Sequence, residues 1–248
     1  MTRRQILQLS AALIGLGSCA SALAETSTRK PLRIFTSHLP PWVIERGTAH
    51  GAAQELVLEL MRRVHRQPGI EFVPWRRAQL LATSTPGTAI FPLTRQPDRE
   101  QRFRWLAPLY EENYVFLTAR KSRFDVMRIG AMKNSRIASL RGGAQIATLQ
   151  ELGFKRVVEA SSINEVHRFL LGGMADASFG EHIIIMNSLR TRGEVDHFVL
   201  SPPVRTTVAW LAGSLDFDEA QTRQLNATMA EMVADGTHKR VLKKYGLG

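Results

Sequence analysis

The chain has 248 residues, 44% of them hydrophobic, and a formal net charge of +11 from 33 basic and 22 acidic residues. That length supplies an ordinary core for one large or two small domains. The single cysteine excludes an intrachain disulfide, and no run beyond the N-terminal segment is long and apolar enough for a transmembrane helix. A basic balance raises nucleic acid or an anionic surface as a partner. The basic residues are dispersed and no nucleic-acid motif occurs, so the excess reads as a solvated surface that aids capture of anionic solutes.

The N-terminus reads as an export signal. Arg3 and Arg4 precede a mostly apolar run, residues 6–16, too short to span a bilayer, and Ala22-Leu23-Ala24 makes a small-x-small cleavage site before Glu25. This predicts a signal peptide over 1–24 and a periplasmic product. The paired arginines also fit a twin-arginine signal. Leu16-Gly17-Ser18-Cys19 fits a lipobox, which would instead leave Cys19 lipidated. Cleavage after Ala24 is the reading preferred here; it leaves no cysteine and, without Arg3 and Arg4, a net charge of about +9.

Strands and helices then alternate. Residues 32–37 form a short strand leading into the His38-Leu39-Pro40-Pro41-Trp42 turn. Residues 51–66 form an amphipathic helix, with Leu56, Leu58, Leu60, Met61 and Val64 on a broad apolar face, ended by Gln67-Pro68-Gly69. A strand over 71–75 and a short helix over 76–82 follow, then strands over 88–94, 113–119 and 136–140. A helix after Arg141-Gly142-Gly143 runs through Leu152, and a short strand begins at Val157. A helix over 161–171 is capped by Ser161 or Ser162. Residues 175–179 are a strand, Glu181 opens another helix, and 208–212 are the last strand. Residues 216–245 are mainly helix, broken near Gly236, with early acids and late lysines that complement its dipole. Such alternation predicts an α/β fold of largely parallel sheets covered on both faces.

The densest signal is residues 88–110. Ala89, Ile90 and Phe91 read as a buried strand, and Thr94 and Arg99 lie five residues apart across a polar connection. An arginine at a strand's carboxyl end can grip a carboxylate with two parallel donors, and open α/β sheets bind ligands there. A solvated surface arginine is the competing reading. Trp42, Trp75 and Tyr110 could sandwich the apolar part of a ligand or belong to the core; Arg77 could face a cleft or water. Trp105 and Trp210 follow strand patterns and read as core.

Taken together and in order, several segments resemble a known family. They are the Pro40-Pro41-Trp42 turn, Gly51 before the first helix, 74–78 (PWRRA), 94–100 (TRQPDRE), 103–110, 140–145 (LRGGAQ), 173–177 (GMADA) and the ending 234–246. The chain resembles the type 2 periplasmic solute-binding proteins, specifically family 3, the amino-acid-binding group of ABC transport systems. The resemblance spans nearly all of the chain after the leader.

It implies two α/β lobes that close on a small solute: lobe 1 from 25–115, lobe 2 from 116–206, and a return to lobe 1 with C-terminal helices over 207–248. The crossings would lie near 114–119 and 203–207. It implies that Arg99 clasps a ligand carboxylate with help from the Thr94 backbone, that Glu181 holds an ammonium, and that the turn carrying Gly143 and Gln145 offers backbone N–H groups. A zwitterion needs one fixed cation and one fixed anion, and binding both favours the closed state. Departures from the pattern stand at Ala144, where a hydroxyl is usual, at Pro92, at Glu181 in place of aspartate, and at Ser37 and His38, where a ligand-contacting aspartate often lies. The implied partners are a small-molecule ligand and a membrane ABC permease, with the protein itself monomeric and without cofactor or metal.

Enzyme motifs are lacking. No HExxH spacing or GxSxG elbow occurs. Two other readings remain: a periplasmic dehydratase using Glu181 as general acid, and a sensing module for a separate membrane receptor.

Overall fold

A computed structural model describes residues 30–247; the predicted leader and Cys19 lie outside them. The first strand, β1 (Leu32–Thr36), leads through the Pro-Pro-Trp turn to helix α1 (Ala52–Arg63), whose Leu56, Val57, Leu60 and Met61 are wholly buried. Gly51 opens that helix at φ 89°, where a Cβ would lie 2.6 Å from the Trp42 carbonyl oxygen. No side chain fits there. There follow β2 (Pro68–Phe72), α2 (Trp75–Ser84) and β3 (Thr88–Thr94), all of whose residues are buried. A single 3-10 turn, Pro97–Arg99, then precedes the long strand β4 (Arg104–Ala119).

Next come β5 (Arg136–Leu140), α3 (Gln145–Glu151), β6 (Arg156–Ala160), α4 (Ile163–Leu171), β7 (Ala177–Glu181), α5 (His182–Arg192) and β8 (Phe198–Leu200). The chain ends with β9 (Arg205–Gly213), α6 (Glu219–Ala234) and α7 (Thr237–Lys244). Caps fix several helix starts. Ser162 accepts from Glu165 N at 3.2 Å, and Asp218 and Gln221 form a reciprocal box at the start of α6.

The strands form one sheet in the order β2-β1-β3-β9-β4-β7-β5-β6, with β8 pairing to β4. The expected parallel pairs occur toward its two ends, β1 with β2 and β3, and β5 with β6 and β7. The centre is antiparallel, because β4 meets β9 along 104–114 and then turns to β7 and β8 along 114–119. Helices cover both ends. Around β1, β3 and α1 the core includes Leu32, Ile34, Phe91 and Met229. Around β5 and β7 it is aromatic, with Phe116 lying 4.6 Å from Phe179 and 5.2 Å from Phe154, ring centre to ring centre. Each such ring contributes roughly 1.5–3 kcal/mol of burial energy.

Three expectations are corrected. The second strand starts at Pro68 rather than 71, because Pro68 pairs with Leu32 at the sheet's edge, where a proline's missing N–H costs no ladder bond. Helix α1 stops at Arg63, and His65 turns left-handed at φ 51°. The two central strands are longer than their apolar runs, since backbone pairing carries β4 through Glu111, Glu112 and Asn113. Trp105 is buried as its strand pattern predicts, whereas Trp210, edge to face with it at 6.0 Å, is only partly buried.

Candidate ligand-binding site

A cavity of about 60 Å³ lies where β3, β4 and β7 meet the start of α3 and the side of α4. It opens toward a wider recess of about 580 Å³, with which it shares Leu39, Trp75, Leu140, Ile163 and Ile184. Among the predicted residues, Arg99, Thr94, Glu181, Trp75, Gly143 and Gln145 line the cavity. Trp42 and Arg77 do not.

Arg99 is only 4% exposed. The 3-10 turn after β3 folds it back beneath the strand, where its Nη1 donates to the Thr94 carbonyl at 3.0 Å. Its Nη2 donates to the Gly142 carbonyl at 3.1 Å and to Gln79 Oε1 at 3.4 Å. Gln79 Nε2 reaches the same Gly142 carbonyl at 2.8 Å. The β5–α3 turn is therefore gripped by α2 and by the arginine together. Gly142 is left-handed at φ 72°, and a Cβ there would press on Gln79 Nε2 at 3.2 Å. A guanidinium has five N–H donors. Three are used, all on neutral acceptors, and two remain. Burial lowers the Arg99 pKa from its ordinary value, an effect that nearby Asp98, Tyr114 and Glu112 oppose.

Glu181 closes β7 and caps α5. Its Oε2 accepts from Ile184 N at 2.8 Å and from Trp42 Nε1 at 3.3 Å, while its Oε1 has no partner. Burial pushes its carboxyl pKa up. Trp42 thus stands behind the site: it is 3% exposed and stacks on Tyr110 at 3.5 Å and 5°. Arg77 points to solvent because the inward positions of α2 fall to Ala78 and Ala82. Gly143 N is spent on the Leu140 carbonyl at 3.0 Å, so that backbone donor closes the turn itself. Ser37 and His38 border the wider recess; Ser37 donates to the Val73 carbonyl, and His38 Nδ1 accepts from Glu45 N.

Three lining residues were missed in the sequence. Tyr110, singled out above only as an aromatic, shares one face of β4 with Glu112 and Tyr114, because side chains two apart along a strand point the same way. Glu111, between them, is exposed. That alternation was the available signal for Glu112 and Tyr114. The third, His167, lies with Ile163, Val166 and Leu170 on the inner face of α4 and is 1% exposed. Burial lowers the His167 pKa, so the ring is neutral at pH 7.

Glu112 is 5% exposed, and its Oε2 has no partner. Burial raises its carboxyl to about 7, against the lowering effect of the Thr94 hydroxyl, while Glu181 raises it further. Thr94 Oγ1 and the Tyr114 hydroxyl are 3.1 Å apart beside it. Burial likewise keeps the Tyr110 and Tyr114 phenols protonated. The lining thus combines one buried cation, two buried carboxyl groups and an apolar wall. Its unpartnered polar atoms are Tyr110 OH, Glu112 Oε2, Gln145 Oε1, His167 Nδ1 and Glu181 Oε1. Buried polar groups are normally bonded, so these atoms mark a place where a polar molecule fits. Among the described residues no cluster of histidine, cysteine, aspartate and glutamate could hold a metal ion, and no helix is long and apolar enough to cross a membrane.

No protein-family model matches the chain, nor does any curated protein. Solved structures do match it in fold. A histidine kinase sensor domain with similarity to periplasmic binding proteins superposes with a TM-score of 0.80 at 14% identity, covering 88% of this chain and 97% of that one. An arginine third transport system periplasmic binding protein from Legionella pneumophila gives 0.75 at 18% identity, covering 87% and 99%. An ancestral arginine-binding protein bound to arginine gives 0.77 at 12% identity, covering 88% and 98%. The chain therefore has the α/β fold of the type 2 periplasmic binding proteins.

Proposed function

We propose that this protein is a periplasmic solute receptor that captures a small zwitterionic or carboxylated ligand, an amino acid or a relative, and presents it to a membrane ABC permease. The observation that carries the reading is Arg99: a buried cation facing a cavity, hydrogen-bonded only to neutral groups, with two N–H donors to spare. Arg99 anchors the ligand carboxylate, and Thr94 holds the arginine in place. Glu181 accepts the ammonium through its free Oε1. Trp75 covers the apolar part, and Gly143 and Gln145 form the facing wall.

On this reading lobe 1 is 25–115 with 207–248, and lobe 2 is 116–206. The bonds from Gln79 and Arg99 to Gly142, and from Trp42 to Glu181, span the cleft between them. They give the closed form contacts that an open form lacks, and a ligand adds to them. The protein acts as a monomer exported by its leader.

Thermal unfolding of the chain from Glu25, against a panel of amino acids, amines and small carboxylates, tests this. A ligand at a hundredfold its Kd stabilises by about 2.7 kcal/mol, a shift of several degrees. The expected result is a shift with one or a few amino acids that vanishes in Arg99→Ala. A folded sample that answers to none of them, or a shift that survives Arg99→Ala, contradicts the proposal. The match to a histidine kinase sensor domain favours a second reading, in which the loaded receptor signals to a separate membrane partner. Turnover of a carboxylated ring compound would favour a dehydratase instead.

A further inference from the structure

A monoamino acid does not satisfy this cavity. One carboxylate answers Arg99 and one ammonium answers Glu181, which leaves Glu112 buried with Oε2 unpartnered. The charged lining is Arg99, Glu112 and Glu181, so the ionised wall carries one negative charge more than positive. A net-neutral zwitterion does not balance that excess, so beside it Glu112 keeps its proton and its carboxylate goes unused. Gln145 Oε1 adds a further unpartnered acceptor, while Tyr110 OH can donate or accept and the role of His167 Nδ1 depends on its tautomer.

Resting on the amino-acid reading above, we propose that Glu112 is a ligand-binding residue that selects a second cationic amine, so that the preferred ligand is a short diamino acid. The second ammonium supplies the donors and the positive charge that the wall lacks. It meets Glu112 on the face of β4 shared with Tyr110 and Tyr114. The inner space beside Glu112 is small, about 60 Å³ or roughly four to six water positions, so a short spacer keeps both ammonium groups near the two acids. A longer chain must extend into the wider recess past Trp75 and Ile163.

Binding is then coupled to proton release. Glu112 faces Arg99, Glu181, Tyr110 and Tyr114, with His167 across the cavity; the two phenols stay protonated and His167 stays neutral near pH 7. With its carboxyl raised to about 7 in the free protein, Glu112 loses its proton when an ammonium arrives. Affinity for a diamino acid accordingly falls as pH drops below about 7, toward tenfold per pH unit for one coupled proton.

The test is calorimetric titration of the chain from Glu25 at pH 8 and pH 6 with 2,4-diaminobutyrate and with 2-aminopentanoate, its near-isostere carrying a methyl in place of the second ammonium. The same titrations are run on Glu112→Gln, with thermal unfolding as a check that the variant folds. The expected result is a preference of tenfold or more for the diamino acid at pH 8, shrinking at pH 6 and mostly lost in Glu112→Gln. Equal binding of the two, a preference for 2-aminopentanoate, or a preference untouched by Glu112→Gln overturns this proposal while leaving the amino-acid reading standing. If neither ligand binds, and no other amino acid does, both readings fall together.

Discussion

Two acidic residues show how differently this molecule treats charge. Glu59, on α1, is fully partnered: Oε2 accepts from Arg62 and Oε1 from both Arg62 and Arg63 at 2.7–2.8 Å, and Arg63 also reaches Asp235 and Thr237 at the break between α6 and α7. Those bonds hold its carboxyl down at about 2. Glu112, at the cavity, is buried with one oxygen free, and its carboxyl rises to about 7. The first arrangement ties helices together at a half-wet surface, where ion pairs contribute little each. The second costs stability, and its free oxygen faces a cavity, which is where the proposed ligand would meet it. On the proposed reading, paired charges at the surface serve architecture and the unpaired ones inside serve binding.

The comparison can be broken at its strongest point first. Arg99→Ala removes the cavity's only cation among the described residues and should weaken ligand binding by about 3 kcal/mol, more than a hundredfold, with a much smaller effect on folding. A variant that binds as before would show that the arginine serves architecture after all. Glu112→Gln comes next. A carboxyl raised in the folded state stabilises the protein fully below about pH 4.5, and that contribution is lost as pH rises through about 7. The wild-type protein should lose up to about 3 kcal/mol over that window. Urea midpoints at pH 5 and pH 8 should converge in Glu112→Gln relative to wild type, with a residual slope left by Glu181.

Smaller effects sharpen the picture. Trp42→Phe keeps the stack on Tyr110 but deletes the N–H that reaches Glu181. It should cost about 1–1.5 kcal/mol, visible both in unfolding and in ligand affinity. A loss confined to unfolding would detach Trp42 from the site. Glu59→Gln should cost under about 1 kcal/mol at pH 7. Its carboxyl is lowered in the folded state, so its contribution is present above about 4.5 and disappears as pH falls toward 2. Acid unfolding of Glu59→Gln should therefore begin from a slightly lower stability and meet the wild-type curve near pH 2.

Much of this was legible in the residues. The apolar stripe of α1, the Ser162 cap, Glu181 at the start of a helix and the break at Gly236 follow from periodicity and capping chemistry. Arg99 was half legible: its place just past a buried strand suited a ligand or a solvated loop equally, and only the 3-10 turn that folds it inward decides for burial. The antiparallel centre was hidden, because Glu111, Glu112 and Asn113 interrupt the apolar pattern that marks a strand, and only the register with β9 reveals one continuous β4. Glu112 escaped for the same reason: beside Glu111 it looks like a solvated pair until the two-residue alternation of β4 is known. Whether Trp42 or Trp75 meets the cavity was not readable either. Each follows a proline near a strand's end, and the stack on Tyr110 that withdraws Trp42 is a tertiary contact.

The most direct test of the contrast is a carbon-13 NMR titration of the glutamate side-chain carboxyls in the ligand-free protein, with Glu112 and Glu181 assigned by their glutamine variants. The account predicts that Glu112 titrates at about 7 and Glu181 above the ordinary range, that Glu59 titrates near 2, and that a bound diamino acid moves Glu112 downward. Midpoints for Glu112 and Glu181 at or below 4.5, where solvated or paired glutamates titrate, would contradict it.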